Sequence, residues 1–435
     1  MKAKLAVGLV GFGTVGTGVA KVLFRNADVI ASRVGALIEL VRIADVDVVR
    51  DRGLPLPPGI LTTDVHALIR DPSIHIVIEL IGGYEAAKRV IHTAIENGKH
   101  VVTANKALLA VHGEELFEAA ARAGVELGFE ASVGGGIPIL RALTEGLAAN
   151  HVVSIVGILN GTANYILTQM TQQHQDFRQA LAEAQAAGYA EADPTFDVEG
   201  IDAAHKLAIL VSLAYGTPVD VKEIYTEGIT HVTALDIEFA SQLGMTVKLL
   251  GIAKRSRDGI EARVHPTMIA ASSSLAQVNG VYNAIRLEGD AVGDVVLYGQ
   301  GAGSLPTASA VVSDVIAIGR NVLKGAVGRV PVTSYQASAR LPIRIRPMAE
   351  LTSRYYLRCM VRDQPGVLSQ IAGVLGARGI SIASVLQQGR QEGQTVPVVI
   401  MTHRASEHAV QMALGEINRM TSIVSEPTTL IRVEE

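Results

Sequence analysis

Tryptophan is absent from this chain, cysteine occurs once, and aromatic residues make up only 4% of it. A single thiol, Cys359, excludes a disulfide framework and a cysteine metal cluster within one chain. An excess of positive charge is also lacking: the formal net charge is −4, which leaves no basic field for nucleic acid. No apolar run reaches the roughly eighteen unbroken residues of a membrane span, so no membrane partner is expected. A reducing cytoplasm is the expected compartment. What the chain does have is aliphatic bulk. Hydrophobic residues are 49%, charged residues 18%, and glycine numbers 43 in 435 positions. That balance suits α/β architecture with Val- and Ile-rich buried strands. The length predicts two or three domains.

The opening MKAKLAVGLVGFG sets two lysines before an apolar run. Glycines interrupt that run, and it reads as a first strand rather than a signal sequence. The strand leads into Gly11-Phe12-Gly13-Thr14-Val15-Gly16 and then a helical stretch. Strand, glycine turn and helix in that order point to a dinucleotide site. Gly11 permits the tight turn, Gly13 lets a pyrophosphate approach the backbone, and Gly16 lets helix and strand pack closely. Residues 38–44 form the expected second strand, ending at Asp45, whose carboxylate is placed to accept from the adenosine ribose. Arg50 and Arg52 follow and offer an alternative, a 2′-phosphate; their ordinary reading is solvated loop arginines. NADP and NAD therefore both remain open.

Further strands are expected at 74–80, 100–103 and 127–131, with an amphipathic helix over 86–96. Residues at the carboxyl ends of parallel strands line the ligand crevice. Thr103 and Lys106 are such residues. Glu130 precedes Ser132-Val133-Gly134-Gly135-Gly136-Ile137-Pro138, and an acid beside exposed carbonyls is compatible with an oxygen-bound cation. Three glycines in a row imply close backbone approach or a flexible crossover. Gly301, in YGQGAGSLP, opens an apolar helix and is a second candidate for cofactor or substrate contact, or else a structural turn.

The middle of the chain carries GYAEADPTFDVEGIDAAHK over 188–206. Its five acids are Glu191, Asp193, Asp197, Glu199 and Asp202. Such crowding is costly unless the charges are solvated, paired or used on a ligand. Asp202 and Lys206 lie four apart, on one face of a helix over about 200–215. His205 points elsewhere on that helix and reads as a packed or surface histidine.

GFGTVG, VVTANKALLA, ASVGGGIPI, LNGTANYIL, GYAEADPTFDVEGIDAAHKLAIL and YGQGAGSLPTASAVVSD stand in the order seen in homoserine dehydrogenases, and the first 325 residues or so resemble that family. The resemblance implies reduction of L-aspartate 4-semialdehyde to L-homoserine with NADPH or NADH, in the biosynthesis of threonine, methionine and isoleucine. By the same resemblance Lys206 is the catalytic lysine and Lys106 a second lysine near cofactor and substrate. Glu191 and Asp202 bind substrate, with Asp197 in support. Phe12, Thr14 and Val15 contact the nucleotide. Glu130 with the backbone of Val133, Gly135 and Ile137 resembles a sodium-type monovalent cation site. The chemistry agrees: carboxylates can hold the substrate ammonium, and a lysine ammonium can protonate and stabilise a developing alkoxide. Asp202 would keep Lys206 charged. Which lysine passes the proton stays open.

After a proline-punctuated stretch with Arg340, Arg344 and Arg346, most simply solvated, residues 354–435 read as βαββαβ, the ferredoxin-like order. VRDQPGVLSQIAGVLGARGISIASVLQQ resembles an ACT domain, which pairs with copies of itself and binds amino acids. The resemblance implies feedback by an amino acid, threonine being usual, at Asp363, Gly366, Leu368, Ile380 and Ser381 of paired modules. A module that only dimerises is the plainer alternative. The expected plan is a dinucleotide-binding Rossmann domain over 1–150 and a catalytic and dimerisation domain over 151–325. Within the latter, the 301–325 helix returns to the first domain. A linker over 326–353 and the ACT module over 354–435 complete it, in a homodimer or homotetramer. Two other readings compete: a hydroxy-acid dehydrogenase with an ACT tail, which would need a histidine–carboxylate pair, and a non-catalytic nucleotide and amino-acid sensor, which would need neither Lys206 nor the acids.

Overall fold

The computed structural model describes residues 4–387 and 394–434. Among them the chain forms two compact units, each drawn from three stretches of sequence. The first holds the chain up to Ile155, Ala204–Lys222 and Tyr282–Ile343; the second holds Val156–Ala203, Glu223–Val281 and Arg344 onward. No described helix is long and apolar enough to cross a membrane.

In the first unit six strands run parallel: Lys4–Val10, Leu37–Ala44, Leu61–Thr62, Ile74–Glu79, His100–Thr103 and Leu127–Gly128. Their spatial order is third, second, first, fourth, fifth, sixth. This is the doubly wound Rossmann arrangement, with its topological switch between the first and fourth strands. The strands are Val- and Ile-rich because helices cover both faces. Val7, Leu9, Ile38, Ile43, Ile76 and Ile78 are buried in one cluster with Val311, Val315 and Ile318 of the helix Ser304–Lys324. The returning helix expected from the sequence is therefore part of the first unit's core.

One expected strand is shorter than anticipated. Extended structure after Leu127 stops at Gly128, and Glu130–Ser132 is a 3₁₀ turn. The amide of Glu130 donates to the carboxylate of Asp314 at 2.8 Å instead of to a neighbouring strand. A Cβ on Gly128 would lie 2.8 Å from that of Asp314, so the helix crowds the chain there.

In the second unit Met245–Ser256 and Gly259–Ala270 form a long antiparallel hairpin. The C-terminal module follows as Thr352–Arg362, Val367–Ala377, Ile382–Gln387, Thr395–Thr402, Glu407–Ile417 and Thr429–Val433, alternating as βαββαβ. Its four main strands lie in the order fourth, first, third, second, with antiparallel pairing throughout. Its last strand also pairs in parallel with the hairpin, Thr267 opposite Arg432. The module's sheet is thus continuous with that of the hairpin. The preceding arginines are not simply solvated: Arg340 grips Glu114 through both terminal nitrogens, at 2.6 and 2.7 Å, and Arg346 reaches Glu261 at 3.1 Å. Of the three, only Arg344 is well exposed, and it pairs with Glu350.

Candidate active site

Two of the three tasks expected of the glycine turn, a tight bend and close helix packing, show in its geometry. Gly11 has φ +97°, and a Cβ there would stand 2.6 Å from the Leu80 backbone. Gly16 would place a Cβ 2.1 Å from the Gly11 carbonyl oxygen, so only glycine lets helix Thr14–Arg25 pack on its strand. Gly13 faces open space, with nothing within 4 Å of an added Cβ. It caps the helix N-terminus, where free amides favour an anion. Beside it a crevice of about 900 Å³ is lined by Gly11, Gly13, Asp45, Leu80 and Gly82. An open backbone, a helix start and a crevice of that size suit a dinucleotide.

Around this crevice the structure modifies the expected roles. Asp45 accepts from the amides of Phe12 and Asp47 and meets Arg52 at 3.4 Å. Its carboxylate therefore braces the glycine turn. Arg52 is not a solvated loop arginine: its guanidinium lies 5.0 Å over the Phe12 ring and donates to the carbonyls of Phe12 and Asp47. Arg50 is exposed. Thr103 gives its hydroxyl to Glu79 at 2.7 Å, and Asn105 caps the helix that begins at Lys106.

The sequence reading passes over Glu79. It is fully buried at the end of the fourth strand, and one of its oxygens accepts from the amides of Ile81 and Gly82 at 2.8 and 3.3 Å. Burial raises its pKa, opposed by the Thr103 hydroxyl and those two amides. This carboxylate ties together the two loops that leave the fourth and fifth strands. Asn105 adds a second tie, donating to the Gly83 carbonyl at 2.6 Å. The available signal was an acid closing a buried strand.

The glycine segment over 134–136 approaches another backbone, not empty space. The Gly136 amide donates to Gln300 at 3.0 Å, and a Cβ on Gly135 would lie 2.4 Å from the Gly301 carbonyl oxygen. Gly301 in turn would strike Asn283 at 2.1 Å. Close packing accounts for these glycines. Glu130 is buried, and its two oxygens accept from the amides of Leu140 and Arg141, both at 2.8 Å. The Ile137 carbonyl already accepts from Ile139. No group of three or more His, Cys, Asp or Glu fit to hold a metal occurs among the described residues.

The acidic loop separates into two kinds of carboxylate. Asp193 accepts from the Thr195 hydroxyl at 2.6 Å and amide at 3.1 Å, which hold it below the usual carboxylate range. Glu199 accepts from Thr230 at 3.1 Å. These two shape and anchor the loop. Asp197 and Asp202 are drawn together by Asn160, whose amide donates to them at 2.7 and 2.9 Å. Asn160 is a second residue the sequence reading passes over. Its carbonyl oxygen caps the helix Gly161–Gln173 through Ala163, which frees the amide nitrogen to bridge the acids. Glu191 is exposed.

The helix Ile201–Tyr215 is buried along almost its whole length, yet it carries Asp202, His205 and Lys206 at 3%, 6% and 8% exposure. His205 is thus a packed histidine. Lys206 is not directed into bulk solvent. Burying a carboxylate and an ammonium one turn apart is costly without a use or a partner for each.

In the C-terminal module Gly366 has φ +89° and starts the helix Val367–Ala377. The Asp363 amide donates to the Gln394 carbonyl, and Ser381 accepts from His403. Leu368 and Ser381 are exposed. Ile380 is 3% exposed and belongs to the module's own core.

Sheet order, glycine turn and crevice define a dinucleotide-binding enzyme of the Rossmann class, joined to a small βαββαβ module. Family models agree along the chain: homoserine dehydrogenase, NAD binding domain, at residues 11–130; homoserine dehydrogenase at 138–316; and ACT domain at 355–419. A homoserine dehydrogenase of Pseudomonas aeruginosa is 47% identical over 432 residues, covering 99% of this chain and 98% of its own. The crystal structure of a homoserine dehydrogenase from Thiobacillus denitrificans superposes with a TM-score of 0.94 at 45% identity, covering all of both chains. A hyperthermophilic archaeal homoserine dehydrogenase in complex with NADPH is 26% identical, with a TM-score of 0.61 over 74% of this chain and 98% of that one. The chain belongs to the homoserine dehydrogenase family.

Proposed function

We propose that this enzyme reduces L-aspartate 4-semialdehyde to L-homoserine, reversibly, with Lys206 as the group that protonates the new alkoxide. The observation that carries this reading is the buried Lys206, one turn after buried Asp202 on a mostly apolar helix. The bound nicotinamide nucleotide, NADPH or NADH, supplies the hydride that the aldehyde carbon receives. Lys206 supplies charge stabilisation and a proton to the aldehyde oxygen. Asp202, Asp197 and Glu191 bind the substrate ammonium, and Asn160 fixes the first two of these. Lys106 is the second lysine, and Asp202 keeps Lys206 in its ammonium form.

The cofactor-side residues are Gly11, Phe12, Gly13, Thr14, Val15 and Gly16, with Asp45, Arg50, Thr103 and Gly301. Arg52 offsets the charge of Asp45, so a 2′-phosphate would not meet a bare carboxylate. A sodium-type cation at Glu130, Val133, Gly135 and Ile137 would use second lone pairs on Glu130 and Ile137, since oxygens of each already accept amides. The ACT module implies feedback, with threonine as effector at Asp363, Gly366, Leu368, Ile380 and Ser381. The assembly is a homodimer or homotetramer, and the pathway is the biosynthesis of threonine, methionine and isoleucine.

The test is the loss of reduced-cofactor absorbance with aspartate semialdehyde and, separately, with 2-oxo acids. Both cofactors are compared, with and without threonine. Turnover of the semialdehyde alone, slowed by threonine, is the expected result. Turnover of 2-oxo acids, or of neither, contradicts the reading; indifference to threonine removes the effector assignment.

A further inference from the structure

Residues 225–236 touch the ACT module on one side and the acidic loop on the other, all within the second unit. Tyr225 and Thr226 pair in parallel with Arg263 and Val264, and the Glu227 amide donates to Val264 at 2.8 Å. The Glu227 carboxylate accepts from Arg432 at 2.7 Å and from the Tyr225 hydroxyl at 2.7 Å. Arg432 belongs to the last ACT strand and is 2% exposed. It also holds Glu407 of the last ACT helix at 3.0 and 2.6 Å, and its guanidinium lies 4.9 Å from the centre of the Tyr225 ring.

Farther along the segment a second ACT strand takes hold. Asp236, fully buried, accepts from Arg358 at 2.6 and 3.1 Å and from Tyr356 at 3.0 Å. Between these two anchors the segment grips the acidic loop. The Ile229 amide donates to the Val198 carbonyl at 2.8 Å, and Thr230 donates to Glu199. A Cβ on Gly228 would lie 2.5 Å from both the Val198 carbonyl oxygen and a Glu199 carboxylate oxygen. The glycine is therefore set by lack of room. Val198 and Glu199 stand between Asp197 and Asp202 in sequence, the two acids that share Asn160.

We propose that residues 225–236 act as a strap through which the ACT module sets the acidic loop, and that Arg432 and Arg358 are positioning residues for Asp197 and Asp202. The Asp236–Arg358 anchor is a buried charge pair, and at the other anchor the buried Arg432 meets a half-buried Glu227; pulling either apart would leave a desolvated charge uncompensated. The strap therefore moves with strands Thr352–Arg362 and Thr429–Val433. A ligand that shifts either strand shifts Val198 and Glu199, and with them the spacing of the two acids. The inference rests on the reading that Asp197 and Asp202 bind the substrate ammonium.

The experiment uses the full-length enzyme and three variants. Asp202→Asn tests the underlying reading, Glu227→Ala removes the strap's carboxylate from Arg432 and leaves it only the Tyr225 ring and hydroxyl, and Gly228→Ala wedges the strap from the loop. Initial rates give kcat and separate KM values for semialdehyde and cofactor. The expected result is a rise in semialdehyde KM in all three, by at least about 5-fold for the strap variants, the lower end of ordinary site-to-site coupling. In the strap variants kcat and cofactor KM stay near the parent values. If Asp202→Asn leaves KM unchanged, the substrate reading fails and takes the strap with it. If Asp202→Asn raises KM while both strap variants keep it, the strap is overturned and the reading stands. A lower melting temperature with unaltered KM in both strap variants also overturns it, because that is what a merely structural contact would give. Should one strap variant not fold, the other decides.

Discussion

At the scale of single residues, Asp314 makes the folded state sensitive to pH. It is fully buried, and burial together with the neighbouring Glu130 charge pushes its pKa up to about 7, against amide and Arg141 contacts that pull it down. Its folded value lies above its ordinary one near 3.8. The folded state therefore holds the extra proton between about pH 4 and pH 7, and stability from this group is full below that window and lost as pH rises through it. In Asp314→Asn that loss disappears. Denaturant midpoints measured from pH 4 to pH 7 should show the variant gaining stability relative to the parent as pH rises. Parallel curves would refute the assignment. That Asp202 and Lys206 share one helical face was legible in their spacing. The partners of Asn160 were not, because nothing local marks an asparagine that caps one helix and bridges two acids from another part of the chain. Asp314 was equally hidden.

At the scale of elements, local rules carried far. Strand, glycine turn and helix were predictable because each glycine has a distinct geometric task. The tasks lead to opposite expectations for two neighbouring positions. Gly16→Ala forces a Cβ to within 2.1 Å of a backbone oxygen and should cost stability by about 1–3 kcal/mol or more, as overpacking does. Gly13→Ala meets nothing within 4 Å, so the protein should keep its melting temperature and lose cofactor affinity. Thermal melts and cofactor titrations on both variants check this. Equal melting temperatures for the two would contradict the division of labour. The strand expected over 127–131 failed for a non-local reason: the Glu130 amide turns to Asp314, far away in sequence. Arg340 and Arg346, expected to be solvated, failed in the same way, since Glu114 and Glu261 lie outside any local window.

At the scale of the whole molecule, the order of motifs disclosed the family, and the ferredoxin-like alternation disclosed the C-terminal module. Continuity between them was not visible. The module's last strand pairs with a hairpin of the preceding region, and a two-residue overlap is too short to leave a sequence signature. Through that joint and residues 225–236, the ACT module shares a body with the acids that the substrate reading assigns to the ammonium.

The central claim is that the ammonium of Lys206 protonates the alkoxide formed from the semialdehyde. Its most direct test is single-turnover reduction at saturating semialdehyde by Lys206→Ala, with cofactor affinity measured alongside. The account predicts a rate lowered by about 10²-fold or more with cofactor affinity retained. A rate close to that of the parent enzyme would contradict it.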